Sequence, residues 1–275
     1  MDKKVYTSEI ELDIKSAVEN FETMLREQVE RNQRMRTERE EQNTVQKTGD
    51  SSDNSARERE KVIIGTAAGD GIGPIIMAEA ERVLKAVLRD RLASGSAVLK
   101  PIEGFTLENR LASGKTVPNS VMAAMSECDV LLKGPTTTPN AAMNTANIES
   151  ANVYLRKAFD LFANVRPVSI PKEGIDWTFF RENTEGEYAL GSKGEYITGE
   201  LAVDFKVTTD EGTERIARAA YEYARANGKK RVSIVTKANI MKKTDGNFLN
   251  ICREVAKDYP EIETDSWFID IMAAN

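Results

Sequence analysis

The chain has 275 residues, of which 40% are hydrophobic and 30% charged, a composition that suits one large or two modest domains with buried cores. Its 38 Lys and Arg residues against 44 Asp and Glu give a net charge of −6, which argues against nucleic acid as a partner. The sequence contains no histidine. This excludes Ser-His-Asp and Cys-His nucleophilic systems, imidazole zinc sites and histidine proton shuttles. Acid–base chemistry must therefore use carboxylates, lysine, tyrosine or water.

The first 60 residues are predicted to form an amphipathic helix followed by a flexible linker. Ser8 and Glu11 have the spacing of a capping box. Apolar residues then recur every three or four positions and mark one helical stripe: Ile14, Val18, Phe21, Leu25 and Val29. After about Gln42 the sequence becomes polar, which is typical of a linker. We expect this helix to pack on its own body or on a partner subunit, with a dedicated recognition helix as the alternative.

Cysteine usage and the N-terminal sequence predict a cytoplasmic protein. Cys128 and Cys252 do not form a close pair, so neither a disulfide framework nor a cysteine metal site is expected. The N-terminal sequence MDKKVYTSEIELD has no apolar core of a signal peptide, and no run of 18 apolar residues occurs in the chain. We therefore expect neither secretion nor a membrane span.

From Lys61 onwards, short apolar runs alternate with helical patterns, which predicts an α/β fold. The predicted strands are KVIIGTA, AVLKPIEGF, DVLLKG, DWTFFREN, RVSIVTK and WFIDIMA. The predicted helices run from Pro74 to Asp90, from Pro118 onwards, up to Gly228 and up to Pro260. Between Tyr188 and Thr209, alternating polar and apolar residues with three glycines indicate antiparallel strands or a small hairpin arm.

Two polar loops follow predicted strands. The first, GDGIGP at residues 69–74, lets the backbone turn sharply and approach a ligand at a helix N-terminus. It lacks the spacing of the dinucleotide fingerprint, and a simple tight turn is the alternative. The second, KGPTTTP at residues 133–139, offers a lysine and three hydroxyls that could hold a carboxylate or phosphate. Its alternative is an ordinary polar turn.

Three arginines accompany polar donors in apolar surroundings. They are Arg156, Arg166 and Arg181, with Ser150 and Asn152 ahead of the first. Because a guanidinium binds a carboxylate through two parallel hydrogen bonds, this set indicates a polycarboxylate substrate. Surface salt bridges are the alternative for each arginine taken singly.

Tyr188, Lys237 and Asp270 complete the candidate residues. A tyrosine and a lysine can serve as proton donors in a protein without histidine. Asp270 lies in the apolar run WFIDIMA, where burial of a carboxylate calls for a cation or a metal. A structural salt bridge is the alternative.

Taken together, these segments resemble the isocitrate and isopropylmalate dehydrogenase family. The resemblance covers about Lys61 to Asn275 and rests on five strings in the family's order: GDGIGP, LLKGPTTTP, SANVYLRKAFDLFANVRPV, FFRENTEGEY and TKANIMKKTDGNF. It implies an α/β fold with an incomplete large domain and a small domain with a β arm. Residues 61–161 would be the first half of the large domain, and residues 162–275 the small domain with its arm near 186–209.

The resemblance also implies roles for the candidate residues. Those that would hold the substrate carboxylates are Ser150, Asn152, Arg156, Arg166 and Arg181. Those expected on the cofactor side, beside NAD or NADP, are Thr137, Thr138 and Asn239. Tyr188 would protonate the carbon left by decarboxylation, and Lys237 would assist proton transfer at the substrate hydroxyl. Asp270 would bind Mg2+ or Mn2+.

The implied function is metal-dependent oxidative decarboxylation of isocitrate, or of a related 2-hydroxy polycarboxylate, to a 2-oxo acid. Family members are dimers in which Lys237 and Asp270 would serve the neighbouring subunit, so we expect a homodimer. Ile75 and Thr236 depart from the family's usual Glu and His. The family also continues well beyond the position of Asn275, so we expect this chain to be an N-terminal portion that needs a C-terminal complement. The alternative is a non-catalytic or regulatory subunit that keeps the substrate site.

Overall fold

The computed structural model describes residues 8–47, 61–139, 148–190, 193–197 and 199–275. Most of the predicted linker therefore lies outside the described residues. The chain divides into two compact units. One, here called the parallel-sheet unit, is Asp50–Leu155, and the other, the hairpin unit, combines Met1–Gly49 with Arg156–Asn275. In the described part of the chain, no helix is both long enough and apolar enough to cross a membrane.

The hairpin unit begins with α1 (Ser8–Lys47), which confirms the predicted N-terminal helix. The face by which it packs shares only Phe21 with the predicted stripe. All five stripe residues, Ile14 to Val29, are exposed, whereas Met24 is buried. Met24 packs against Ala189 and Leu190. The packing face also carries arginines that form ion pairs with the rest of the unit, and the sequence does not show which acids they pair with.

The parallel-sheet unit contains three parallel strands in the order β2-β1-β3. Its strands are β1 (Val62–Ala67), β2 (Ala97–Pro101) and β3 (Val130–Lys133). Its helices are α2 (Gly73–Val87), α3 (Arg89–Ala93), α4 (Leu107–Ser113) and α5 (Asn119–Ser126). Proline in the first turn of α2 suits the start of a helix, since its missing N–H has no partner there. The α/β pattern predicted for this region is confirmed, although the helix predicted to reach Asp90 ends three residues earlier.

After α6 (Ala151–Ala158), the hairpin unit continues with β4 (Ala163–Ile170) and β5 (Ile175–Glu182), an antiparallel pair. A 3-10 turn at Pro171–Glu173 and Gly174, in the left-handed region at φ 69°, connect them. The predicted arm contains β6 (Glu195–Ile197) and β7 (Leu201–Val203), which are antiparallel as expected. One face of the β4–β5 hairpin packs on the helix that follows, where the Phe180 and Tyr223 rings lie 5.2 Å apart.

The last part of the hairpin unit is a βα arrangement with its own core. It comprises α7 (Asp210–Ala226), β8 (Arg231–Thr236), α8 (Thr244–Ala256), β9 (Glu263–Phe268) and α9 (Ile269–Ala274). Strands β8 and β9 are parallel. Between these elements the core is apolar and includes the stacked rings of Tyr221 and Tyr259, 5.0 Å apart.

The predicted strand WFIDIMA is wrong in its second half. Strand β9 ends at Phe268, and Ile269–Ala274 is helical. Methionine and alanine favour helix, and β9 is hydrogen-bonded along one edge, to β8, among the described strands. Asp270 consequently lies in the first turn of α9 with its side chain more than half exposed, rather than buried in a strand.

Candidate active site

Two loops of the parallel-sheet unit pack backbone against backbone. Gly69 has φ 74°, and a Cβ there would lie 2.1 Å from the carbonyl oxygen of Pro135. The Asp70 carboxylate accepts hydrogen bonds from the backbone N–H groups of Leu107 (2.7 Å) and Thr137 (2.8 Å). Both carboxylate oxygens are therefore used within the protein. In the structure the GDGIGP loop acts as a brace for the KGPTTTP loop.

The KGPTTTP loop is also held by a fully buried arginine. Arg110 donates to the carbonyl oxygens of Thr116 (2.7 Å), Thr137 (2.8 Å) and Glu149 (3.2 Å). The bond to Thr137 uses the loop's backbone, and none of the three bonds involves a loop hydroxyl. The Thr136 Oγ1 atom is buried without a hydrogen-bond partner among the described residues, and Thr138 is exposed. The loop is thus a fixed backbone that presents polar side chains.

Ser150 and Asn152 lie at the start of α6. Both side chains are half-buried, and the carbonyl oxygen of Ser150 accepts the Tyr154 N–H at 3.0 Å, which begins the helix. Asn152 and Arg156 are four residues apart in this helix and share one of its faces.

Two guanidinium groups lie close to the Tyr188 ring in the hairpin unit. The guanidinium carbons of Arg181 and Arg156 are 5.1 Å and 5.6 Å from the centre of its ring. The Nη1 atom of Arg181 also donates to the Tyr188 hydroxyl at 3.3 Å. Arg181 is fixed further by a bond from its Nη2 to the Asn183 side chain at 3.0 Å. The structure therefore brings three of the predicted site residues into contact.

Arg166 belongs to the same face of the β4–β5 hairpin as Arg181. Asn164 is directly opposite Arg181 across the two strands, and Arg166 is two residues further along. Its Nε donates to the Asn164 side chain at 2.8 Å. Strand register, which the sequence does not show, thus places the two arginines on one face.

None of these three arginines forms an ion pair with a carboxylate of the described residues; their polar contacts are with Asn164, Asn183 and Tyr188. The alternative of a surface salt bridge is therefore not found for Arg156, Arg166 or Arg181 among the described residues. Two of these cations flank the tyrosine ring and the third lies on the same hairpin face, an arrangement suited to an anionic ligand with several carboxylates.

The turn that leads to Tyr188 is held by acidic residues that sequence reasoning missed. The Glu182 carboxylate accepts from the Thr184 hydroxyl (2.6 Å), the Thr184 N–H (2.8 Å) and the Glu185 N–H. Gly186, at φ 66°, exchanges backbone hydrogen bonds with Val207. The run of acids in RENTEGEY was the available signal, since a carboxylate followed by small polar residues can accept their N–H groups.

Lys237 and Asp270 form a second group. The Lys237 amine lies 2.7 Å from the Asp270 carboxylate. This hydrogen bond holds the pKa of Asp270 below its ordinary value. No hydrogen bond, ion pair or ring contact within the described ranges joins this pair to the arginines around Tyr188.

Asp245 fixes the backbone at Lys237. Its carboxylate, nearly buried, accepts the Lys237 N–H at 2.6 Å and pairs with the Lys206 amine at 2.6 Å. Burial alone would raise the pKa of Asp245, but the bonds from Lys206 and Lys237 outweigh it and hold that pKa below its usual value. Asp245 was not singled out from the sequence, although TDG opening a helix marks an acid at a helix start.

Asn239 lies exposed in the turn between β8 and α8. The N–H groups of Ile240 and Met241 both bond to the carbonyl oxygen of Lys237 at 2.9 Å, which closes this turn. Asn239 is thus two residues from the predicted proton-handling lysine.

The predicted metal site does not fit the described residues alone. They contain no group of three or more Cys, Asp or Glu side chains that could hold a metal ion. Asp270 is engaged by Lys237 rather than by other carboxylates.

Comparisons with known proteins agree with the fold and the motifs. The family model described as isocitrate/isopropylmalate dehydrogenase matches residues 63–275. The chain is 40% identical over 208 residues to a mitochondrial NAD isocitrate dehydrogenase regulatory subunit of Dictyostelium discoideum, covering 74% of this chain and 53% of that protein. It is 38% identical over 217 residues to the alpha subunit of the mitochondrial Macaca fascicularis enzyme, covering 75% and 58%.

A solved structure is also similar. The isocitrate dehydrogenase of Methylococcus capsulatus matches with a TM-score of 0.65 and 34% identity, over 78% of this chain and 62% of that one. The chain spans about half the length of the curated relatives it matches. Those relatives are named as mitochondrial, so the predicted cytoplasmic location is not confirmed. The matched residues and the shared fold together show that the chain belongs to the isocitrate/isopropylmalate dehydrogenase family.

Proposed function

We propose that this chain binds isocitrate, or a related 2-hydroxy polycarboxylate, and forms the substrate side of an NAD-dependent β-decarboxylating dehydrogenase. The observation that carries the proposal is the group of guanidiniums of Arg156, Arg166 and Arg181, which have no carboxylate partner among the described residues and of which two flank Tyr188. Such cations stabilise an anionic substrate because each can bind a carboxylate through two hydrogen bonds. Ser150 and Asn152 would add neutral donors.

The chain's own residues supply the proton transfers. Lys237 would take the proton of the substrate hydroxyl while the carbon that bears this hydroxyl loses a hydride. Loss of carbon dioxide then leaves an enolate, and Tyr188 would protonate its carbon. The Arg181 bond to the Tyr188 hydroxyl holds this oxygen in place. Thr137, Thr138 and Asn239 would hold NAD, whose chemistry is that of a hydride acceptor.

The same proposal includes assembly with further polypeptide. The relatives at 40% and 38% identity are named as subunits, and this chain spans little more than half of them. We propose that the chain works in a dimer or larger assembly in which Lys237 and Asp270 serve a neighbouring subunit. The lack of contact between this pair and the Tyr188 group, within the described residues, supports that arrangement.

A regulatory role is the second candidate. Several relatives, including two from Dictyostelium discoideum at 40% and 36% identity, are named as regulatory subunits. A regulatory subunit would bind the polycarboxylate at the same arginines without turnover. The presence of Tyr188, Lys237 and Asp270 favours the catalytic role, because ligand binding alone does not need proton-handling side chains.

Isothermal titration with isocitrate tests the binding proposal. Replacing Arg181 by Gln removes one guanidinium and the bond to Tyr188, and we expect at least roughly tenfold weaker binding. Arg225→Gln is the matched control, because Arg225 pairs with Glu261 on the exposed side of α7. Equal affinities of the two variants would contradict the proposal.

Turnover separates the two roles. The chain is assayed with isocitrate, NAD and Mg2+ in the presence of a full-length homologous subunit whose own tyrosine is inactivated. NADH formation that is lost in Tyr188→Phe supports the catalytic role. Binding without NADH formation, together with an altered rate of an active partner, supports the regulatory one.

A further inference from the structure

Helix α1 contacts the body of the hairpin unit through one continuous face. We call this face the inner stripe, and it consists of Asn20, Phe21, Met24, Glu27, Arg31 and Arg39. Their separations keep them on one side of the helix. The family model begins at residue 63, so the inner stripe lies outside the part of the chain that the family shares.

The apolar part of the inner stripe packs directly after Tyr188. Met24 is 4% exposed and lies in a cluster with Ala189 and Leu190. The Phe21 ring stacks on Phe205 with centroids 4.8 Å apart. The helix therefore holds the chain on the C-terminal side of Tyr188 by burial.

The ionic part of the inner stripe contacts the chain on the N-terminal side of Tyr188. The Arg31 guanidinium lies 2.9 Å from the Glu185 carboxylate and donates to the Thr184 hydroxyl at 3.3 Å. The Glu185 side chain is only 3% exposed, and its carbonyl oxygen accepts the Tyr188 N–H at 3.2 Å. Arg31 thus reaches the Tyr188 backbone through a single residue.

Glu185 has no other ion-pair partner among the described residues. Its remaining bonds come from the N–H and hydroxyl of Thr209, at 2.9 Å and 2.6 Å. Removal of the cation from such a buried carboxylate is strongly unfavourable, so we expect the Glu185 side chain to shift toward water when Arg31 is replaced. Because the Glu185 carbonyl oxygen accepts the Tyr188 N–H, such a shift should displace the turn that carries Tyr188.

We propose that Arg31 is a positioning residue for Tyr188, acting through Glu185, and that α1 is a strap that this chain adds to fix the Tyr188 turn. The role of Tyr188 in catalysis rests on the proposed function, whereas its placement by Arg31 does not. The strap holds the turn from both sides, by the Arg31 pair before Tyr188 and by Met24 after it.

A fluorine NMR experiment tests the placement. The whole chain is labelled with 3-fluorotyrosine, and Tyr188→Phe assigns the signal. We expect Arg31→Gln to shift or broaden the Tyr188 signal and Arg31→Lys to restore it. Arg26→Gln is the matched control, because Arg26 pairs with Glu22 within α1 and both are exposed. An unchanged Tyr188 signal in folded Arg31→Gln would overturn the inference.

Hydrogen exchange gives a second readout. In Arg31→Gln the amides of Glu185 to Leu190 should exchange about tenfold faster, while those of α8 keep their rates. If Arg31→Gln does not fold, Met24→Ala decides instead, because it loosens the same turn without stranding a charge. Unchanged exchange at Glu185 to Leu190 in folded Met24→Ala would then refute the strap.

Isocitrate binding links the strap to the site. Arg31→Gln should bind isocitrate about threefold to tenfold more weakly, and Arg31→Lys should regain most of the affinity. If the wild-type chain does not bind isocitrate, the proposed function fails, yet the NMR and exchange results still decide whether Arg31 places Tyr188. Wild-type binding with unchanged affinity in Arg31→Gln counts against the inference.

Discussion

The Asp245 carboxylate accepts the backbone N–H of Lys237 at 2.6 Å, so a buried acid sets the position of a predicted proton-handling residue. Asp245 also pairs with Lys206. Asp245→Ala leaves the Lys237 N–H without its acceptor and the Lys206 amine with only the longer pair to Glu187 at 3.5 Å, and we expect it to lower the free energy of unfolding by about 2 kcal/mol. Urea denaturation measures the change.

The exposed acid Asp258, which pairs with Arg218, provides the control for this substitution. Asp258→Ala should cost no more than about 1 kcal/mol because exposed pairs contribute little. Equal losses in the two variants would show that Asp245 has no special place in the fold.

Acidification should remove the contribution of Asp245 to the free energy of unfolding. Its pKa in the folded chain lies below the ordinary value of 3.8, so the unfolded chain binds the proton more readily. The stabilisation is therefore fully present above pH 3.8 and is lost as pH falls through the folded pKa. Denaturation at a series of pH values should show a smaller loss on acidification for Asp245→Asn than for the wild type.

Substitution of two helical glycines by alanine should change the stability of the chain in opposite directions. A Cβ on Gly212 would lie 2.4 Å from the carboxyl carbon of Glu185, whereas one on Gly246 meets no atom within 4 Å. We expect Gly212→Ala to destabilise by about 2 kcal/mol. Gly246→Ala should stabilise by up to about 1 kcal/mol, because alanine favours helix. Thermal melting compares them, and a stabilising Gly212→Ala would rule out this position of Glu185.

The two cysteines should differ in reactivity. Cys252 lies in the core of the hairpin unit, and burial raises its pKa to about 12. Cys128 is half-buried, and its thiol contacts the carbonyl oxygen of Ala124 at 3.3 Å. Ellman's reagent at about pH 8 should therefore modify one thiol in the native chain and two after unfolding. Rapid labelling of both native thiols would disagree with the packing around Cys252.

The sequence predicted the elements whose pattern is local. Strands β1, β3 and β8 are short segments rich in valine, leucine and isoleucine, and α7 and α8 end close to Gly228 and Pro260 as expected. WFIDIMA failed because an apolar run fits a strand or a helix equally well, and the choice depends on neighbouring strands. The packing face of α1 was missed because its residues are mostly polar or charged, so their helical spacing gives no apolar signal.

In the candidate site, residues close together in the sequence could be predicted, whereas contacts between residues far apart in the sequence could not. Arg181 and Tyr188 are seven residues apart in one motif, so both were singled out from the sequence, but their contact was not predicted. The placement of Arg166 depends on strand register, and Arg31 and Glu185 are 154 residues apart. Contacts of that kind arise from packing and leave no trace in spacing or composition.

Arg110 helps to fix the shape of the KGPTTTP loop without using the side chains that would contact a ligand. Every hydrogen bond found for its guanidinium ends on a backbone carbonyl, and within the KGPTTTP loop it holds the carbonyl of Thr137 without using a threonine hydroxyl. The threonines of the loop can therefore be exchanged without loss of this bond, whereas Gly134 cannot, because a Cβ there would lie 2.0 Å from the carbonyl oxygen of Ala68. The buried arginine thus makes the chemistry of this loop free to diverge, so that relatives with the same scaffold can acquire different ligand preferences by substitution at a few threonines.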